Sequence, residues 1–358
     1  MTTFLLPVQG LTINSPLELG RVRLHPGPSV GSLLGNETER LFGHQHIGDI
    51  ASQIADELEH GTVAVIDAAD IDAALHLVTL ATDLLRVFQR VRYSTYRTTM
   101  FGLPGQLYQS NVRYLTAGDV RGPGFHCRGE VLGWTFGDQV RTAWLSSPAF
   151  TSVAALVGGD DPLDEGHRRA LLGVQLLSQA ILEHRPPFKI LNLVIALESM
   201  LLERLNEPQM LRLLRRVTSF TCGRPDGSLC GRDRPACQLL ALDPRSKTDR
   251  QQLDKLRKLA ERDVRWGCSE WFKYCEWYGW RSSIAHGDDT PVTAEDVSKA
   301  EYWILRWTAE PVLLWLVEHP VAPLAELDEA LADLEPVPDW QNPIPDPDPY
   351  EPGSYELG

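Results

Sequence analysis

The sequence predicts two domains of different class and a tail. These are an α+β domain with short strands over residues 1–160, an all-α helical bundle over 161–320, and an acidic Pro/Asp-rich segment over 321–358. Three observations lead there. Short alternating apolar stretches, broken by Gly and Pro, crowd the first 160 residues. Long runs of helical period with brief connections follow. The final stretch, "EPVPDWQNPIPDPDPYEPGSYELG", has no apolar period and is expected to be extended or disordered.

In the first region, "LTINSPLELGRVRLHPG" alternates around Leu17/Leu19 and Val22/Leu24, which predicts strands and turns. "GTVAVIDAAD" reads as a buried strand leading into a helix. That helix, "DIDAALHLVTLATDLLRVFQRVRY", places Ile71, Ala74, Leu75, Val78, Ala81, Leu85 and Phe88 on one face. "GEVLGWTF" is a further strand-like run. His44 and His46 in "FGHQHIGD" lack an acid or cysteine cluster beside them, so a polar loop is the favoured reading over a metal site.

After the loop "VGGDDPLDEG" the pattern turns helical. "EGHRRALLGVQLLSQAILEHR" is one amphipathic helix, expected to end at Pro186 and Pro187. "FKILNLVIALESMLLERL" is a second, with Leu191, Val194, Ile195, Leu201 and Leu202 inward. "QMLRLLRRVTSF" is a third and is basic on one side through Arg212, Arg215 and Arg216. A Gly/Asp/Pro-rich insertion separates it from an aromatic helix that ends in "YGWRSSIAHGDD". A last helix runs from about Thr293 to Val317, opened by a capping-box arrangement of Thr293 and Asp296 and bent at Pro311. Four or five long helices with short connections imply an antiparallel bundle.

No run approaches the roughly 20 apolar residues of a membrane span. "MTTFLLPVQG" lacks a basic n-region and a full apolar h-region, so a cytoplasmic protein is expected. Six cysteines are too few for a disulfide framework. The formal charge of −14 argues at first against nucleic acid. However, residues 307–358 hold twelve Asp or Glu and no Lys or Arg, whereas residues 201–265 hold fifteen Arg or Lys against nine acids. The middle of the chain is locally basic.

Arg281 and His286 stand five apart. That spacing alone is weak, since "RGPGFH" (Arg121 to His126) repeats it within a Gly-Pro turn. Context adds more. Arg281 falls in the last turn of a helix built on Trp271, Phe272, Tyr274, Trp277, Tyr278 and Trp280, and Gly287 is a natural stop. Five residues on an ideal helix are about 140° apart. A helix ending near Ile284 would free His286 to swing back beside Arg281. An imidazole beside a guanidinium suits one chemistry in particular: moving the proton of a ribose 2′-hydroxyl while charge on the adjacent phosphate is stabilised, with no metal or cofactor.

With "LVIALESMLL", "LRLLRRV" and "RSSIAHGDD" together, residues 163–318 resemble a HEPN domain of the ApeA-like branch. The resemblance implies a metal-independent endoribonuclease of antiphage-defence or toxin type that leaves a 2′,3′-cyclic phosphate. It also implies a homodimer whose two R-x4-H motifs meet in one cleft, with an antitoxin or phage-derived trigger as possible partner. By the resemblance Arg281 binds the scissile phosphate and His286 is the general base or acid. Ser282 occupies the polar position after the arginine, where Asn, Asp or His is more usual. Glu198 either orients Arg281 or His286 or simply faces solvent, and His286 has a second reading as a helix C-cap. Arg212, Arg215 and Arg216 are the candidate RNA-binding residues, and the first 160 residues would sense a trigger or partner. The rival reading is a non-catalytic HEPN-like module for dimerisation or nucleotide binding.

Cys222, Cys230 and Cys237 lie in an insertion with Arg224, Arg232 and Arg234. Their gaps of seven and six residues do not match paired zinc ligands, so free thiols on a loop are favoured over zinc. The aromatics of the helix at 271–280 are expected to serve mainly as core and dimer interface, with base stacking as a minor use.

Overall fold

The computed structural model describes residues 2–8, 10–27, 61–88, 101–103, 112–114, 125–127, 134–136, 145–159, 162–183, 185–203, 209–221, 269–287 and 292–332. His44, His46, Cys222, Cys230, Cys237, Arg224, Arg232 and Arg234 lie outside them, as does "RGPGFH" apart from Phe125 and His126.

The chain begins with β1 (Thr2–Val8), β2 (Leu11–Ile13), β3 (Leu17–Leu19), β4 (Val22–Pro26) and β5 (Thr62–Ala68). Four of these form an antiparallel sheet in the order β1-β5-β4-β3. Alternation decides its inner face: Leu17, Leu19, Val22, Leu24, Ala64 and Ile66 are buried while Glu18 and Arg23 point out. Val63 and Val65, on the other face of β5, are buried as well. Asp70 then caps α1 (Ile71–Val87), its carboxylate accepting from the Ala73 amide at 2.8 Å. Ala74, Val78, Ala81 and Leu85 of α1 are buried as expected. Ile71 and Leu75, predicted for the same face, are 45% and 37% exposed, so the first turn of α1 contributes less to the core than its sequence suggests.

Three short strands follow: β6 (Val112–Tyr114), β7 (Phe125–Cys127) and β8 (Trp134–Phe136). β6 pairs with β7, and β8 runs parallel to β2. The remaining described elements are helices: α2 (Pro148–Ala155), α3 (Glu165–Leu182), α4 (Pro186–Leu201), α5 (Gln209–Thr221), α6 (Ser269–His286), α7 (Ala294–Trp303), α8 (Glu310–Glu318) and α9 (Pro323–Ala332).

Pro186 does more than end α3. It opens α4 at a position where its missing N–H costs nothing, and a three-residue connection returns the chain so that α3 and α4 lie side by side. On α4 the inward set is Ile190, Leu193, Val194, Leu197, Met200 and Leu201, whereas the predicted Leu191 and Ile195 are only half-buried. The expected capping box is present on α7, where Thr293 accepts from the Asp296 amide at 3.2 Å and the Asp296 carboxylate accepts from the Thr293 amide at 3.1 Å. Between α7 and α8 runs a six-residue π-helical segment, Ile304–Ala309. Pro311, at the start of α8, cannot donate to the preceding turn, and the irregularity expected from it takes the form of this widened turn.

The predicted tail needs correction at its beginning. Residues 323–332 form α9, with Leu324, Leu327 and Leu331 buried at helical spacing. Burying three leucines stabilises a short helix by roughly 1.5–3 kcal/mol each, enough to offset much of the entropy of ordering it.

A single hydrophobic cluster runs from the inner face of the sheet through α1 into α3 and the other helices. A polar network crosses the same junction. The fully buried Arg86 of α1 donates from Nη1 to Asp83 Oδ1 (2.7 Å) and to the Ser178 hydroxyl of α3, and from Nη2 to the Phe101 carbonyl. Ser178 in turn donates to Asp83 at 2.7 Å. Burial pushes the Asp83 carboxyl up, opposed by Arg86 and Ser178. No helix among the described residues is long and apolar enough to cross a membrane.

Candidate functional site

α6 is held in place by its aromatics. Tyr274 and Trp277 are buried and meet edge to face with centroids 5.0 Å apart, and the Tyr274 hydroxyl is hydrogen-bonded to Thr308 in the π-helical segment. Tyr278, Trp280 and Ile284 pack partly against the core. The core role expected of this helix is therefore visible at 274 and 277.

α4 runs beside α6, and Glu198 sits at the edge of its apolar face. Arg281 Nη2 donates to Glu198 Oε2 at 2.9 Å, with the two side chains 25% and 13% exposed. The carboxylate therefore orients the arginine and does not face solvent. Tyr278, one turn before Arg281, completes the group: the guanidinium carbon lies 5.7 Å from its ring centroid. Burial pushes the Glu198 carboxyl up, and the Arg281 charge and the hydrogen bonds from Arg281 and Tyr278 pull it part of the way back. Burial also raises the Tyr278 phenol, reinforced by the charge on Glu198.

The ion pair is incomplete. Arg281 Nε and Glu198 Oε1 are both buried with no hydrogen-bond partner. An arginine–carboxylate pair is strongest as a two-toothed fork, and this one closes on a single tooth.

His286 is placed differently from expectation. The helix does not end near Ile284. It continues through His286 and stops at Gly287, whose φ of +82° is left-handed and whose N–H reaches the Ile284 carbonyl at 3.3 Å. His286 therefore keeps helical azimuth, about 140° around and about 7.5 Å along the axis from Arg281. Arg281 turns inward to α4 while His286 is exposed at the negative end of the helix dipole. Within one chain the two do not form a contacting pair. Ser282, next to Arg281, is half-buried.

The candidate RNA-binding arginines separate. Arg216 is fully buried: Nε and Nη2 fork onto Asp328 of α9 at 2.9 and 2.5 Å, and Nη1 donates to the Leu201 carbonyl at 2.5 Å. It cannot contact a phosphate in this fold, because all its donor groups point into the protein. Together with Arg169, which donates to the Ser199 and Leu202 carbonyls, it satisfies the C-terminal end of α4. Arg212 is mostly buried and lies 3.8 Å from both Glu203 and Asp328. The side chain of Arg215 is outside the described residues. Helical spacing shows which residues of α5 share a face, but only the fold shows that α9 covers it.

Tyr278 is the group that sequence reasoning passed over as a site residue. Its position three before Arg281 on one helix was the available signal. Among the described residues, no three His, Cys, Asp or Glu side chains converge as a metal site. Comparison with protein-family models, curated proteins and solved structures returns no match.

Proposed function

We propose that this chain is a metal-independent endoribonuclease of the antiphage-defence or toxin type, working as a homodimer through Arg281 and His286. The observation that carries the reading is the Glu198–Arg281 pair. An apolar helix keeps a desolvated carboxylate in order to aim one guanidinium, and that guanidinium retains a buried, unsatisfied donor. Arg216 closes its fork on Asp328, whereas Arg281, like the core residue Arg86, leaves its Nε without a partner. A phosphate oxygen is a strong acceptor for a guanidinium, and a quarter of the Arg281 side chain remains exposed to meet one.

In this reading the ribose 2′-oxygen attacks phosphorus, the bond from phosphorus to the 5′-oxygen breaks, and a 2′,3′-cyclic phosphate remains. Arg281 holds the developing charge. His286 takes the 2′-proton or returns one to the 5′-oxygen. Because the two side chains diverge on one helix, the arginine of one protomer and the histidine of its partner would make the working pair. Ser282 flanks the arginine.

The same divergence favours a second reading, a non-catalytic HEPN-like module for dimerisation or nucleotide binding. Incubating total RNA and tRNA in EDTA with wild type, Arg281→Ala and His286→Ala separates the two. The nuclease reading expects 2′,3′-cyclic ends from wild type alone. Cleavage that persists in both variants, or none in wild type under any trigger tested, leaves the binding module.

A further inference from the structure

We infer that Tyr278 is a positioning residue for Arg281, acting on it through the face of its ring. The inference rests on the proposed reading only for its effect on cleavage.

The geometry is as follows. Tyr278 lies three residues before Arg281 on α6, so both project from the same side of the helix. The ring is half-buried and packed against the core, which fixes its plane. Arg281 places its guanidinium carbon 5.7 Å from the ring centroid, within range of a cation–π contact. On its other side Arg281 Nη2 donates to Glu198 Oε2 at 2.9 Å.

One hydrogen bond is a pivot. Joined to Glu198 through Nη2 alone, the guanidinium is free to rotate about that contact, and its buried Nε gains nothing by staying where it is. Two-toothed closure would remove that freedom, and so would a second surface. The Tyr278 ring is that surface, since it limits the guanidinium to orientations over its face. The ring thus fixes the guanidinium plane that Glu198 alone leaves free, and with it the direction of the part of the side chain that stays exposed.

The test uses full-length protein with 15N-labelled arginine, reading the Arg281 Nε–H resonance, assigned by its loss in Arg281→Lys, alongside RNA cleavage. Tyr278→Phe keeps the ring, and the slow exchange of the Arg281 Nε–H should be kept. Tyr278→Leu removes the ring, and the resonance should move to the position and fast exchange of a solvated arginine. Cleavage should fall about 30-fold for Leu and by much less for Phe. Tyr278→Trp, which restores a ring face, should recover most of the Arg281 signature. If the Leu variant does not fold, the Phe and Trp variants decide, and fast exchange in both, with a ring face present, overturns the inference. An Arg281 resonance unchanged in a folded Leu variant overturns it as well. Wild type that cleaves no RNA, with the Arg281 resonance displaced as described, sinks the nuclease reading and leaves the positioning role standing.

Discussion

Arg281 meets Glu198 through a single 2.9 Å contact between α6 and α4, although both partners are more than two-thirds buried. Arg216 meets Asp328 through a full fork between α5 and α9. The two arginines differ in what they leave over. Arg216 has every donor group engaged, whereas Arg281 Nε is buried and idle. Buried polar groups are nearly always satisfied, so an idle one on a guanidinium marks a place where the fold has accepted a cost. The buried Arg86 of α1 carries an idle Nε as well.

The Glu198 carboxyl is raised by burial more than Arg281 and Tyr278 lower it. Between the ordinary glutamate value of 4.5 and the raised native one, the folded chain holds a proton that the unfolded chain has released. Stability contributed by this group therefore falls as pH rises through that window. Glu198→Gln mimics the favoured neutral form. Its thermal midpoint at pH 7 should equal or exceed that of wild type, with the difference shrinking as pH is lowered toward 4.5, and under the nuclease proposal RNA cleavage should drop about 3- to 10-fold. A variant that is less stable than wild type at pH 7 would show that the charge pays for itself in the fold.

Arg216→Met should behave in the opposite sense. Removing one member of a buried ion pair costs about 3–5 kcal/mol, and the partial exposure of Asp328 puts the expected loss near the lower end. The orphaned Leu201 carbonyl adds to it. Arg212→Ala, whose ion-pair contacts to Glu203 and Asp328 are each 3.8 Å long, should cost less than Arg216→Met. Urea unfolding of the two variants checks this, and equal losses would contradict the structural role given to Arg216.

The elements most legible in the sequence are those whose period agrees with their burial. The strand before Asp70, the helix that follows it and the amphipathic "EGHRRALLGVQLLSQAIL" were readable because local pattern and global packing coincide. The first helix of the tail was not. Its "PLAELDEALA" carries a proper leucine spacing, but the proline- and aspartate-rich run after it dominates the composition. At the site, Arg281 and its helix were visible locally. That Glu198, 83 residues earlier, accepts from it depends on how α4 and α6 pack, which periodicity does not report. The position of His286 turned on two residues of helix length, at the limit of what a glycine stop can specify.

The capping box on α7 gives a local prediction. Thr293 satisfies the Asp296 amide, and its hydrogen bonds to the exposed Asp296 carboxylate hold that group below its ordinary range. Thr293→Ala should cost about 1 kcal/mol at pH 7, read by thermal unfolding. Because a depressed carboxyl stabilises only when ionised, the Asp296 part of the wild-type advantage should fade as pH falls below the usual aspartate range. A difference independent of pH would show that Asp296 takes no part.

α3 carries two buried glycines whose substitutions should separate cleanly. A β-carbon on Gly166 would lie 2.2 Å from the Leu316 carbonyl oxygen and 2.9 Å from that of His319, both backbone atoms at the end of α8. Neither moves without displacing the helix, and the Gly166 amide already donates to the Pro320 carbonyl at 2.8 Å. Gly166→Ala should therefore cost about 1–3 kcal/mol or more, despite the gain of about 1 kcal/mol in helix propensity. At Gly173 the obstacle is Met200, with Sδ 2.4 Å from the added carbon. An unbranched thioether can change rotamer, so the propensity gain offsets much of the clash and the loss should stay under about 1 kcal/mol. Chemical denaturation of both variants decides the point. The ordering follows from what stands in the way, backbone in one case and a flexible side chain in the other, and a reversed ordering would mean that α8 yields more readily than Met200.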